Sequence, residues 1–223
     1  MQTALPPVRS RHSFFKVSRL EMSAFMRRLI RPMNFLIRST LHGSLGFAAV
    51  SVAAYSIWAF APRVAGSEIG MYALIALVYL GGAGLALNGL LLGERRLGRF
   101  YRMFLPAFLG YAVLWSAAWF VIKGRPGEWT GAAAGTLFFS WVCWIALKRP
   151  VGFWGAALAL FALHTLGYFV GGKWMYGVLG TGIEGWTKPQ VAMVAKLGWG
   201  LFHGLGFGAG IGFMLGWWQR GTR

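Results

Sequence analysis

The stretch MYALIALVYLGGAGLALNGLLL, residues 71–92, contains no Lys, Arg, Asp or Glu, and it is bracketed by Glu68 on one side and by Glu94, Arg95 and Arg96 on the other. A helix rising about 1.5 Å per residue needs roughly 20 apolar residues to cross a bilayer core about 30 Å thick, so this stretch reads as a transmembrane helix. Five more stretches free of those charges lie at 45–62, 104–122, 130–147, 151–170 and 197–218. Together they predict an all-α fold: a polytopic membrane helix bundle of about six transmembrane helices that fills residues 42–223. No room is left for a second, soluble domain.

Composition narrows the chemistry. Of 223 residues 57% are hydrophobic, and the acids are Glu21, Glu68, Glu94, Glu128 and Glu184, with no Asp. All five fall outside the apolar stretches, which removes the carboxylate that general acid and base catalysis ordinarily uses. Ser140 sits near mid-membrane with no orienting acid, so no enzyme is expected. Cys143 is the single cysteine, which excludes an internal disulfide and any multi-thiolate metal site. A metal centre is not expected.

The net charge of +17 would suit nucleic acid, but its distribution points to a membrane. Sixteen of the 22 Lys and Arg residues fall in the N-terminal segment, around 95–102, at Lys148 and Arg149, and at Arg220 and Arg223. The alternating segments hold the other six. Positive residues are retained on the cytoplasmic side, so both termini are expected inside, which an even number of spans also requires. The basic flanks predict contact with anionic lipid head groups and no nucleic-acid partner.

Residues 1–41 form a basic segment in which Arg27, Arg28, Arg31 and Arg38 interleave with Phe25, Leu29, Ile30, Phe35 and Leu36. This pattern predicts an amphipathic helix over 13–40 lying on the inner surface, with Pro32 starting a new turn or kinking it. The Arg-rich, acid-free opening is also the composition of an organellar presequence. A bacterial inner membrane is the expected location, an organellar inner membrane the alternative.

The segment 171–196 reads as a long outward connection, a flexible or interfacial loop or else a lid over an outward-facing cavity, rich in Gly and carrying Trp174 and Trp186. Gly180, Gly182 and Gly185 match G-x-G-x-x-G, but no strand precedes them, so the dinucleotide reading fails.

Two patterns inside the spans carry the functional expectations. Gly200, Gly204, Gly208, Gly212 and Gly216 form unbroken four-residue steps, a side-chain-free stripe on which another helix can close. His164 and His203 lie at the same depth in the fifth and sixth spans, each followed by a glycine three residues on. An imidazole inside a membrane is a candidate ligand, relay or hydrogen-bonding group. Two of them beside glycine faces also match what a bis-histidine haem or a pigment needs.

The segment GLFHGLGFG, 200–208, is similar to the last conserved helix of the HupE/UreJ group of metal-linked permeases. The Asp-His pair of that group has no counterpart in this Asp-free chain, and no residue role is carried over. Six spans with inward termini also resemble, in layout, the substrate-binding components of energy-coupling vitamin transporters.

Two functions follow as expectations. The first is a non-catalytic subunit of a larger membrane complex, joined to other subunits or to itself through the Gly-lined helix, with a haem or pigment as a candidate cofactor. The second is a small-solute or metal-ion transporter or channel component, with a site between the outer halves of helices 5 and 6 formed by His164, His203, Trp174 and Trp186.

Overall fold

The structure, a computed structural model, describes residues 12–60 and 67–220, with the side chains of 33–60, 67 and 69–220 among them. Six α-helices follow in order: α1 His12–Phe60, α2 Glu68–Leu87, α3 Arg96–Ile122, α4 Gly124–Ala146, α5 Phe153–Thr181 and α6 Lys188–Gln219, with one 3-10 turn at Asn88–Leu90. Five segments are long and apolar enough to cross a membrane: Met33–Phe60, Ile69–Leu90, Arg96–Ile122, Gly124–Ala146 and Phe153–Thr181. The sixth helix, α6, is 32 residues long, its hydropathy held down by glycine and His203. The chain is therefore an all-helical membrane protein of five to six spans.

Several boundaries differ from the sequence reading. The basic segment and the first span belong to one helix, α1, which continues across Pro32 and across the expected division at 41/42. The long outward connection is mostly helical: α5 runs on to Thr181 and α6 begins at Lys188. Backbone polar groups at membrane depth must be paired within their own segment, and this favours helix even through Gly171, Gly172 and Gly177. Six residues remain between the helices, turning at Gly182 and Gly185 with φ of +71° and +75°. Thr187 and Gln190 then close a capping box at the start of α6. Finally, α4 begins at Gly124 rather than 130, which takes Glu128 into a helix that the sequence reading had kept free of acid.

Consecutive helices pack antiparallel and α6 closes back onto α1, so the six form a ring. Without a hydrophobic drive between helices in lipid, close van der Waals packing has to hold such a ring together. Glycine supplies it. On α6 the four-step series faces α1, where Ser39, Gly43, Phe47, Ser51 and Tyr55 repeat at the same spacing. A Cβ on Gly204 would lie 2.6 Å from Ala48 Cα and 2.6 Å from Ser51 Cβ; one on Gly200 would lie 2.8 Å from Tyr55 Cβ. A Cβ on Gly208 or Gly212 would overlap the carbonyl oxygen of Gly43 or Ser39. A second side of α6 meets α5, where Gly206 opposes Gly167 and Gly210 opposes Leu160. A third contact joins α4 to α3: Gly127, Gly131 and Gly135, again four apart, close on Ala118, Trp115 and Tyr111.

The ring encloses Phe47, Phe100, Phe104, Phe139 and Phe207, each fully buried, with Phe108 and Tyr79 packed among them. At the end of α6, Gln219 fastens the ring. Its Nε2 donates to the carbonyls of Leu90 and Leu215, each at 2.9 Å, and its Oε1 accepts from Leu92 N–H at 2.9 Å. Gln219→Leu strips the partner from the buried Leu90 carbonyl and from the part-buried Leu92 N–H, so it should cost about 2 kcal/mol and lower the melting temperature in detergent. A melting temperature equal to that of the parent would contradict the fastening role.

Candidate functional site

The two histidines singled out by their depth meet. Gly167 follows His164 by three residues and Gly206 follows His203 by three, so each glycine lies one turn along the same helix face as its histidine. A Cβ on Gly206 would stand 2.7 Å from Gly167 Cα. That backbone approach draws the imidazoles to a centroid separation of 5.5 Å at an interplanar angle of 82°. The repeated H-x-x-G spacing is thus the device that pairs them.

His164 is completely buried and His203 half-buried. The Nε2 of His164 shares a 2.6 Å hydrogen bond with the hydroxyl of Tyr111, which comes from α3. Tyr111 is held in place by the α3–α4 glycine contact, since Gly135 leaves room for its ring. Tyr168, one turn beyond His164 on α5, stacks its ring on His164 at 6.4 Å and meets His203 edge-on at 6.5 Å. Its hydroxyl donates to Glu128 Oε1 at 3.3 Å, reaching the first turns of α4. A carboxylate near a helix N-terminus is favoured by the dipole. Trp115 and Trp199 complete the wall, each 5.8 Å from the ring of Tyr168.

Polar atoms in this cluster are poorly satisfied. Nδ1 of His164, Nδ1 of His203, Nε1 of Trp115 and Nε1 of Trp199 are all buried without a hydrogen-bond partner among the described residues. Buried polar groups are ordinarily paired, and these four nitrogens surround one tyrosine; Ser140 Oγ, Thr165 Oγ1 and Trp218 Nε1 are likewise without a partner among the described residues. Toward the other end of the bundle the cluster is stopped by Phe207, whose centroid is 4.9 Å from His164 and 4.8 Å from Tyr111. Phe139 lies behind it at 5.6 Å.

Haem does not fit this packing. Two axial imidazoles must face each other across the macrocycle. Here the ring centroids are 5.5 Å apart, which leaves no room for a macrocycle between them, and the Nε2 of His164 is engaged by Tyr111. Among the described residues no group of three His, Cys, Asp or Glu could hold a metal ion.

The two tryptophans expected above the histidines are not brought to them. Trp174 lines a groove between α5 and α6 with Lys173, Val170 and Phe202, and Trp186 stands exposed in the turn between those helices. The glycine series of α6 is occupied by α1, so it offers no open stripe to another chain. His42 bonds the carbonyl of Ala86 through Nε2 at 2.9 Å and so serves the end of α2. Tyr111, Tyr168 and Glu128 were not singled out from the sequence. The four-step spacing of Gly127, Gly131 and Gly135 marks the face of α4 on which α3 closes, beside Tyr111.

Compared with known proteins, the chain matches no family model, no curated protein and no solved structure.

Proposed function

We propose that this multi-pass membrane protein is a transport component whose His164–His203 pair takes up a proton from the side of the bundle that carries Glu128. The supporting observation is the row Glu128, Tyr168, His203, His164, Tyr111, hydrogen-bonded at its two ends and joined by ring contacts between, in which an acid near a helix end lies beside two imidazoles with unpartnered nitrogens. Ionisable groups within a membrane are costly and face functional paths by default. Two positive charges 5.5 Å apart repel by about 3 kcal/mol at an effective dielectric of 20, so the pair is suited to carry one added proton rather than two. Phe207 and Phe139 pack beyond the pair. In this reading all six helices cross a bacterial inner membrane with both ends inside and Glu128 toward the outer face.

The test is proton flux into liposomes holding the purified chain and a pH-sensitive dye, with an imposed pH gradient and potassium/valinomycin to clamp charge. Flux above that of empty liposomes is expected, falling at least tenfold in His203→Phe and several-fold in Tyr168→Phe. Flux no greater than in empty liposomes would sink the proposal.

One observation favours a second reading, a non-catalytic subunit of a larger membrane complex: neither of the two cavities described is lined by a histidine of the pair. Polypeptides that leave the native membrane with this chain in constant ratio would support it.

A further inference from the structure

An apolar groove lies at the opposite end of the bundle from Glu128. It has a volume of about 670 Å³ and runs between α3, α4 and the start of α5, walled by Leu114, Phe138, Trp141, Trp144 and Trp154. Along α4 it extends from Ala134 to Trp144, ten residues or about 15 Å, which is half of a bilayer core about 30 Å thick. The groove therefore has the length of one leaflet. Trp141 and Trp154 are 48% and 73% exposed, so none of the described residues covers it.

Its mouth is cationic. Helix α4 ends in a turn where Arg149 N–H bonds to the carbonyl of Trp144 at 2.8 Å and Lys148 N–H to that of Ile145 at 3.0 Å. This is the Schellman arrangement, in which glycine normally takes the left-handed position. Here Lys148 and Arg149 adopt φ of +62° and +59°, a conformation that disfavours any side chain. Both are exposed, and the guanidinium of Arg149 lies 5.6 Å from the ring of Trp144, at the end of the groove. The N-terminus of α5 adds positive dipole to the same mouth. Strained cations kept where glycine would be easier, above a slot one acyl chain long, have the chemistry of a head-group site.

We propose that this groove binds one anionic phospholipid, with an acyl chain along Phe138, Trp141 and Trp154 and its phosphate at Lys148 and Arg149. The phosphodiester accepts hydrogen bonds from the two cations while the tail replaces bulk lipid against the tryptophans.

Native mass spectrometry of the full chain in mild detergent tests this, with dioleoyl phosphatidylglycerol, dioleoyl phosphatidylcholine and inorganic phosphate as probes. The expected result is one phosphatidylglycerol per chain, held at least tenfold more tightly than phosphatidylcholine and not displaced by millimolar phosphate. Lys148→Gly removes a cation and relieves the left-handed backbone, so it should fold at least as well as the parent while losing about fivefold of the preference. Ala134→Trp fills the groove and should abolish retention of both lipids. Equal retention of the two lipids by the parent, or an unchanged preference in Lys148→Gly, would overturn the head-group site. Unchanged retention in a folded Ala134→Trp chain would overturn the groove. Cross-linking of Trp141→Cys between two copies would assign it to a protein partner instead.

Discussion

Gly212→Val should prevent the chain from being recovered as a folded, monodisperse protein in detergent. The added Cβ would overlap the carbonyl oxygen of Ser39 and stand 3.0 Å from Thr40 Cα, and both neighbours are helix backbone. A rotamer change cannot make room, so α1 and α6 must separate. Overpacking a close-packed site costs about 1–3 kcal/mol even where side chains can adjust. The cost here should exceed about 3 kcal/mol, and α6 contacts both α1 and α5, so its displacement opens the ring on two sides. The matched comparison is Gly177→Ala in the interior of α5, where an added Cβ meets nothing within 4 Å. Helix propensity alone then applies, and stability should rise by about 0.5–1 kcal/mol or stay level. Size-exclusion profiles before and after heating distinguish the two variants. Survival of Gly212→Val within a few degrees of the parent would mean that α1 and α6 are not packed as described.

The glycine stripe on α6 was legible because its residues recur every four positions without interruption. Its partner was not, because α1 answers with Ser39, Gly43, Phe47, Ser51 and Tyr55, a series with a single glycine. Complementary faces of this kind share a spacing rather than a composition. The same limit hid the α3–α4 contact, since Gly127 precedes the apolar stretch that defined the fourth span. Hydropathy located the helices but not their ends. Lys173 and the glycines around it depress hydropathy in the second half of α5, yet the backbone stays helical.

At the candidate site, depth counting was enough to bring His164 and His203 together, because consecutive antiparallel helices place equal depths side by side. It could not find Tyr111 or Tyr168. Their relevance depends on how α3 and α5 rotate about their own axes, and glycine contacts set that rotation. Trp174 and Trp186 were drawn to the site by the expectation of a folded lid. With α5 helical to Thr181, Trp174 turns to Phe202 and Trp186 is left in the turn.

His164→Leu should destabilise the bundle by about 1–3 kcal/mol, with Tyr111 rather than the lost imidazole as the main cause. The tyrosine hydroxyl has His164 Nε2 as its hydrogen-bond partner at 2.6 Å, and its surroundings are aromatic. Leaving it unpaired incurs the desolvation penalty of a buried donor. Tyr111→Phe should cost a similar amount, since His164, whose Nδ1 is already unpartnered, would then have neither nitrogen bonded. Replacing both groups together leaves an apolar contact of similar volume, so Tyr111→Phe/His164→Leu should regain most of the loss and fall within about 1 kcal/mol of the parent. The coupling read from these three variants, about 1–3 kcal/mol, measures the bond itself. Flux separates structure from function in the same set. The double variant should be nearly as stable as the parent and yet move few protons, because half of the imidazole pair is gone. A double variant that is stable and conducts as the parent does would leave the Tyr111–His164 bond as a packing feature and remove His164 from the transport path.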